Sequence, residues 1–149
     1  MNLSDFYVML TVGILVSLLI EEFVGVSTGG MIVPGVLATH IGNIDVLIYI
    51  FLLSLVIYLL VDKVLSKHMI LYGKRKFAIT ILIGILLKIS FDQLYPLLPF
   101  ATVAFRGAGA IAPALLANTY SKQGVEFTVP TAIIGMFIVA AFMRIVYLF

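Results

Sequence analysis

The sequence contains no cysteine and no tryptophan, and only 11% of its residues are charged. The absence of cysteine excludes disulfides, thiolate metal sites and cysteine nucleophiles. The two histidines lie far apart in the sequence, which makes a metal centre a poor interpretation. A net charge of only +2 argues against nucleic acid as a partner. Without tryptophan, any aromatic belt at a membrane interface is built from tyrosine and phenylalanine.

Apolar residues dominate the rest of the chain, which is 63% hydrophobic with a mean hydropathy of +1.24. A soluble domain of 149 residues has too little interior to hide that much apolar surface, so most of it faces lipid. The length allows one domain. The first residues carry no basic run, so we expect the first apolar stretch to be a retained anchor and not a cleaved signal.

One pattern, Gly-x-Ile-x-Pro-x-x-Leu-Ala, occurs twice, starting at Gly30 and at Gly109, 79 residues apart. The chain is therefore predicted to contain two copies of one unit. Each copy places a proline, Pro34 or Pro113, inside an apolar stretch that glycines precede, and we expect a broken, re-entrant or short helix there. Interrupted segments at matching positions indicate a site at the repeat interface. The alternative is two kinked packing helices that bind nothing.

The predicted fold is an all-α integral membrane protein, a two-repeat helical bundle with four full spans and two Gly/Pro-broken re-entrant or short helices. The spans are placed at residues 6–20, 46–61, 77–91 and 127–147, and residues 120–123 are predicted as a polar turn. Pro130 is placed in the first turn of the last span. Within one membrane domain, 1–149, repeat one covers 3–61, a basic loop covers 62–76 and repeat two covers 77–149.

Five basic residues concentrate between residues 62 and 76, namely Lys63, Lys67, Lys74, Arg75 and Lys76. The positive-inside rule puts this stretch in the cytoplasm. With four spans, both termini are cytoplasmic and both motifs open outward. If the motifs cross the membrane instead, each half has three crossings, the halves become inverted repeats and the N-terminus lies outside. We favour four spans, because the apolar core of each motif is shorter than the roughly 20 residues that a span needs.

A few charged residues are candidates for function. Lys88 and Asp92 are four residues apart, so they share a helix face and can pair, either within a pathway for a charged substrate or to orient the third span. Glu22 precedes the first motif and Arg106 the second, which suggests a contact between them across the repeat interface. Alternatively, the planar guanidinium of Arg106 suits bidentate recognition of a substrate carboxylate.

The most polar motif comprises Tyr72, Lys74, Arg75 and Lys76. It is either a topology anchor against anionic lipid or a surface that docks a soluble cytoplasmic partner or guides an anionic product. No nucleophile, base and orienting group stand together in the sequence. The chain is therefore not predicted to be a self-sufficient enzyme, although a co-catalytic role stays open.

Residues 66–78, which contain this polar motif, resemble those of a known family, the CapC/PgsC membrane proteins of poly-γ-glutamate capsule biosynthesis. The similarity includes Val33-Pro34-Gly35 in the first motif and covers almost the whole chain. Further matching positions are Leu87-Lys88, Phe91-Asp92, Leu94-Tyr95-Pro96, Pro99-Phe100, Phe105-Arg106-Gly107, Gly109, Pro113, Ala117-Asn118-Thr119 and Lys122-Gln123-Gly124.

The resemblance implies a multi-pass subunit in the bacterial plasma membrane that helps to make and export poly-γ-glutamate. Its implied partners are a cytoplasmic ATP-dependent amide ligase related to the Mur ligases, an extracellular membrane-anchored capsule protein and the polymer itself. ATP and Mg belong to the ligase, and no cofactor is expected on this chain. We also expect an oligomer, since a short four-span chain can hardly enclose a polymer path alone. The alternatives are an independent two-repeat transporter or channel, and a scaffold that recruits the ligase.

On this interpretation the polymer path is expected to involve Lys88, Asp92, Arg106 and Glu22. The broken-helix motifs, with Gly30, Pro34, Gly35, Gly109 and Pro113, are expected to offer backbone N–H groups to carboxylates. Two residues depart from the family pattern. In the family a glycine follows the proline of each motif, but here Ala114 follows Pro113. A close approach of backbone at the second motif is therefore in doubt. Phe23 replaces a basic residue after Glu22, which favours a distant partner for that glutamate.

Overall fold

The computed structural model describes residues 3–93 and 111–149, with Leu3 and Asp92 described by their backbone alone. Within these ranges the chain forms six helices and no strand, which confirms the all-helical prediction. They are α1 (Leu3–Val24), α2 (Val33–Thr39), α3 (Ile44–His68), α4 (Gly73–Gln93), α5 (Ile111–Gln123) and α6 (Val125–Leu148). Helix α3 is α-helical over Ile44–Leu59, π-helical over Leu60–Leu65 and ends in the short turn Ser66–His68.

Three helices of the described chain are long and apolar enough to cross a membrane. They are Ser4–Val24 within α1, Ile44–His68 and Val125–Leu148, with mean hydropathies of 2.0, 2.7 and 2.1. Each exceeds the roughly 20 residues that cross a hydrocarbon core. Large apolar side chains remain exposed along all three, as expected where lipid and not protein covers them. The chain is therefore a multi-pass helical membrane protein.

Helix α4, which contains the third predicted span, is 21 residues long but carries five charged residues. It runs antiparallel to α3, because Lys76 meets Asp62 at one end while the rings of Phe91 and Tyr49 meet at the other, 6.2 Å apart. Because of these charges, α4 is not among the three helices that are apolar enough to cross a membrane. A fourth span at this position stays a prediction.

The basic stretch, predicted as a loop over residues 62–76, is mostly helical in the structure. Lys63 and Lys67 lie on the end of α3, and α4 begins at Gly73, so only residues 69–72 connect the two helices. Lys67 in the last turn of α3 complements the negative end of the helix dipole. The basic residues in the first turn of α4 meet the positive end of its dipole, and the ion pair with Asp62 offsets part of this cost.

Two predictions near the start of the last span are corrected by the structure. Residues 120–123 are not a turn but the last turn of α5. Tyr120 is only 2% exposed there, with its ring against Tyr58 and its hydroxyl accepting a 3.0 Å hydrogen bond from Ser54, and this burial keeps the turn helical. The break comes at Gly124, whose φ is +89°. Since α6 starts at Val125, Pro130 lies in its second turn and not in its first.

The first repeat motif is broken, as predicted. After α1 the chain is non-helical from residue 25 to 32, and Gly29 and Gly30 adopt φ values of +97° and +116°, which favour glycine. Helix α2 then starts at Val33, with Pro34 in its first turn. Backbone N–H groups in the first turn have no partner within the helix, so the missing N–H of proline costs no hydrogen bond there. The result is a seven-residue helix, one of the two forms expected for this motif.

Helix α2 lies between α1 and α6 at backbone-contact distance. A Cβ atom built on Gly13 of α1 would lie 2.5 Å from the Cα of Gly35, and one built on Gly35 would lie 2.9 Å from the carbonyl oxygen of Met9. On the other side, Pro34 lies 3.2 Å from a Cβ position on Gly135 of α6. Small residues let helices in membranes approach this closely, and van der Waals contact then holds them together.

The chain from residue 25 to 43, here called the first crossing segment, follows α6 along much of its length. Its start contacts the beginning of α6, where Thr131 donates to the Ser27 carbonyl, and its middle meets Gly135. Its end, at Ile41, lines a groove with Arg144. From Thr131 to Arg144, α6 rises by about 20 Å at 1.5 Å per residue. These contacts extend along α6 from its second turn to its last turns.

The unwound backbone at the start of this segment is held by the side-chain amide of Gln123. The Ser27 N–H donates to Gln123 Oε1 at 2.9 Å, and Gln123 Nε2 donates to the Ser27 carbonyl at 2.5 Å. One residue further on, the Thr28 hydroxyl shares a buried 2.7 Å hydrogen bond with Ser17 of α1. Backbone groups that leave a helix inside a membrane protein need such partners, because lipid offers none. We call the Gln123–Ser27 pair the amide clamp.

The amide clamp yields the first prediction. Replacing Gln123 by Met keeps the side-chain volume but removes both hydrogen bonds of the clamp, leaving only Thr131 on the Ser27 carbonyl, so we expect the protein to lose about 1–3 kcal/mol of stability. Thermal unfolding of the purified protein in detergent measures this loss. Ser27→Ala is the matched control, because the described bonds of Ser27 use only its backbone. Equal melting temperatures for Gln123→Met and the wild type would show that the clamp contributes nothing.

Candidate functional site

The predicted site residues fall partly outside the structure. Arg106 and Gly109 lie outside the described residues, and so does the side chain of Asp92. The Lys88–Asp92 pair and the Glu22–Arg106 contact therefore stay predictions. Pro113 is buried in the first turn of α5, in line with the position of Pro34 in α2.

Among the described path residues, Glu22 and Lys88 lie far apart. Glu22 is exposed in the last turn of α1, and α1 packs mainly against α2 and α6. Lys88 is half-buried on α4, which packs mainly against α5 and α3. Lys88 also lies toward the end of α4 that carries Phe91, whereas Glu22 lies near the opposite end of the bundle. A path that includes both residues has to run the full height of the protein.

The two repeat motifs meet, and their contact is tightly closed. A Cβ on Gly29 would lie 2.5 Å from Leu116, and one on Gly30 would lie 3.6 Å from Leu115. Leu116 is fully buried. Residues 29–30 of the first motif and residues 115–116 of the second are thus in contact, and Leu116 fills the space beside Gly29.

The best-defined polar cluster lies where α3, α4 and α5 meet. The Asp62 carboxylate accepts a hydrogen bond from Lys76 Nζ at 2.5 Å and another from the Ser121 hydroxyl at 3.0 Å. The side chains of Lys76 and Asp62 are 22% and 24% exposed. Asp62 is in the π-helical segment of α3, and the Ser66 hydroxyl bonds to its carbonyl oxygen. Such π-helical turns occur frequently at functional sites.

Around this cluster the connection from α3 to α4 presents apolar and cationic groups together. Ile70 and Tyr72 are 84% and 80% exposed, and Lys74 and Arg75 are exposed beside them. A cavity of about 320 Å³ opens between the ion pair and this connection, and its lining includes Asp62, Tyr72 and Lys76. We call the exposed set of Ile70, Tyr72, Lys74 and Arg75, with its Asp62–Lys76 support, the basic end.

The basic end has the chemistry of a docking surface. Exposed cations beside an aromatic and an aliphatic side chain suit an acidic protein surface or a polyanion. Within residues 3–93 and 111–149 no three His, Asp or Glu side chains are grouped as a metal site requires. His40, one of the two histidines, is buried, and its Nδ1 contacts Thr39 and the Val36 carbonyl at the end of α2.

The basic end lies at the same end of the bundle as the C-terminal end of α1. The last turn of α5 contains both Ser121, which bonds to Asp62, and Gln123, which bonds to Ser27. These contacts place residue 27 and the basic stretch at the same end of the bundle.

Sequence reasoning missed the amide clamp and the role of Ser121, since neither belongs to a local pattern. The one sequence signal that pointed to the clamp is the position of Gln123 directly before Gly124, the residue at which the helix breaks.

Comparison with known proteins gives a consistent result over most of the chain. The family model for capsule biosynthesis CapC matches residues 12–129. The capsule biosynthesis protein CapC of Bacillus anthracis is 41% identical over 146 residues, covering 98% of each chain. The PGA biosynthesis protein CapC of Bacillus subtilis (strain 168) is 43% identical over 145 residues, covering 97% of each chain. No solved structure matches this sequence.

The Asp62 cluster yields the second prediction. We expect Asp62→Ala to lower the melting temperature more than Lys76→Ala, because it removes the partner of both Lys76 and Ser121. The double variant should show a coupling of about 0.5–1 kcal/mol, since the pair is partly exposed. This coupling should shrink at about 1 M salt, where the Debye length is about 3 Å. Strictly additive losses at low salt would contradict a stabilising pair, and Ser121→Ala reports the hydroxyl contribution separately.

Proposed function

Because this chain belongs to the CapC family of capsule biosynthesis proteins, we propose that it is the membrane subunit of a poly-γ-glutamate synthase and exporter. It works with a cytoplasmic ATP-dependent amide ligase of the Mur type, which uses ATP and Mg to join glutamates through the γ-carboxyl. The complex also contains a membrane-anchored extracellular protein. The observation that carries this proposal is a similarity of more than 40% identity to two CapC proteins over nearly the full chain.

The basic end is the surface that docks the ligase and receives its anionic product. Lys74 and Arg75 project from the first turn of α4, with Tyr72 and Ile70 as exposed anchors beside them. Aromatic and arginine side chains are the common energetic centres of protein interfaces. Beneath this surface, the Asp62–Lys76 ion pair and the bond of Asp62 to Ser121 connect α3, α4 and α5. The positive-inside rule places the basic end in the cytoplasm.

The first crossing segment passes through the membrane as a broken helix. Residue 27 lies beside the basic end, whereas Ile41 lies beside Arg144 near the other end of α6. The first half then has three crossings, α1, the first crossing segment and α3, and a similarly built second half gives inverted repeats. The packing supports this arrangement, because α2 lies against α1 and α6 while α5 lies against α4 and α3. Both termini are then outside the cell.

The polymer path lies between copies of the chain. Leu115 and Leu116 close the contact with Gly29 and Gly30, so the interface between the two motifs offers no polymer path at this point. Lys88 is half-buried on α4, a position from which its ammonium group can reach such a path. Together with Arg106 it supplies the cationic guidance that a polyanion needs in a low-dielectric barrier. Copies that pack around a common path make the complex oligomeric.

Co-expression with the ligase and the extracellular protein tests the proposed function. Ligase co-purification and ATP-dependent formation and export of polymer are measured. Lys74→Gln with Arg75→Gln should reduce co-purification by about tenfold, as expected for the loss of charge-assisted contacts. Lys88→Gln should leave co-purification intact while lowering export. Lys63→Gln with Lys67→Gln is the matched control, because it removes the same charge from the end of α3.

The outcomes separate three functions. Unchanged export in the Lys88 and Arg106 variants, with co-purification lost in the Lys74/Arg75 variant, would leave a ligase-recruiting scaffold. Glutamate or polymer transport by this chain without a ligase would identify an independent transporter. Equal loss in the Lys63/Lys67 control would show that total charge, and not the basic end, attracts the ligase.

A further inference from the structure

A groove lies near the end of the bundle opposite the basic end. It is bounded by α1, by the turn that follows α2 and by the last turns of α6, and its volume is about 570 Å³. Its wall includes Met9, Ile41 and Phe137, and Arg144 and Tyr147 line it toward the end of α6. We call it the end groove. Its lining is almost wholly apolar apart from these last two side chains.

Small residues create the end groove. Ala38 and Gly42 on one side face Ala140 and Ala141 on the other. A Cβ atom built on Gly42 would meet no atom within 4 Å, so the space beside it is open. Interlocking large side chains, which normally fill the gap between neighbouring segments, are missing here.

The end groove opens toward the hydrocarbon of the bilayer. Its two long walls, α1 and α6, are apolar helices of membrane-spanning length, and Phe137 at its edge is 58% exposed. The molecule that meets such a groove in a membrane is a lipid. An acyl chain has the flexible apolar shape that a narrow groove between helices accepts.

The charge at the end of the groove indicates which lipid fits. Arg144 is exposed one turn before Tyr147, and it has no ion-pair partner among the described residues. Two acidic groups of the described chain lie near this end, namely Asp5, which interacts with Tyr147, and the exposed Asp45 at the start of α3. Because Arg144 itself has no ion-pair partner among the described residues, its guanidinium is available, and its planar fork binds phosphate oxygens in pairs.

We propose that the end groove is a phospholipid-binding site, with one acyl chain along Ala38, Gly42 and Ala141 and the lipid phosphate on Arg144. The position of Arg144 about one turn from the end of α6 suits contact with a headgroup while the groove extends toward the membrane interior. A bound lipid fills the space beside the turn after α2 and so holds the end of the first crossing segment against α6.

Native mass spectrometry of the full chain in detergent tests the site. Phosphatidylglycerol and, separately, phosphate-free diacylglycerol with the same acyl chains are titrated. We expect one phospholipid to bind the wild type about tenfold more tightly than diacylglycerol, as for a charge-assisted phosphate contact. Arg144→Gln should remove that difference. Ala141→Phe should weaken both lipids by filling the groove.

Two control variants keep the result specific. Val146→Phe places the same aromatic side chain at an exposed position of α6 outside the groove, and Lys63→Gln removes a charge at the opposite end. Both should bind lipid within about twofold of the wild type. Equal affinity of the wild type for both lipids would overturn the proposal, as would equal phospholipid binding by the wild type, Arg144→Gln and Ala141→Phe. A dimer that Ala141→Phe separates would assign the groove to a second copy and would also overturn it.

Discussion

The fold depends on one constraint, that backbone which leaves a helix inside a membrane protein must find hydrogen-bond partners within the protein. The non-helical residues before α2 meet this constraint with the amide of Gln123, the hydroxyl of Thr131 and the hydroxyl of Ser17, which donates to the Gly30 carbonyl. Because these partners come from α1, α5 and α6, satisfying the backbone also fixes the positions of three helices. The amide clamp thus joins the first half of the chain to the second.

The two ends of the bundle differ in chemistry. One carries exposed cations around the Asp62–Lys76 pair, and the other has the apolar end groove with Arg144 beside it. In the proposed function, this asymmetry attracts the polyanionic product and the ligase to one side only. Between the ends the repeat motifs close on each other through Gly29 and Leu116.

The sequence was sufficient to predict the features that local chemistry decides. Pro34 and the positive φ values of Gly29 and Gly30 are properties of single residues, so the broken first motif was predictable. The helical end of α5 was not, because a buried contact between Tyr120 and Ser54 outweighs its polar composition. The amide clamp was also beyond reach, since Gln123 and Ser27 are 96 residues apart. The crossing path proposed for residues 25–43 rests on long-range contacts of the same kind.

The most direct test of that path is the accessibility of single introduced cysteines in intact cells. Because the sequence contains no native cysteine, each introduced cysteine is the only reactive thiol in the protein. Glu22→Cys, Gly42→Cys and Lys67→Cys are labelled with a membrane-impermeant maleimide before and after permeabilisation. If the first crossing segment spans the membrane, only Gly42→Cys reacts in intact cells, and Glu22→Cys becomes reactive together with Lys67→Cys after permeabilisation. Labelling of both Glu22→Cys and Gly42→Cys from outside would contradict the crossing and restore the re-entrant hairpin.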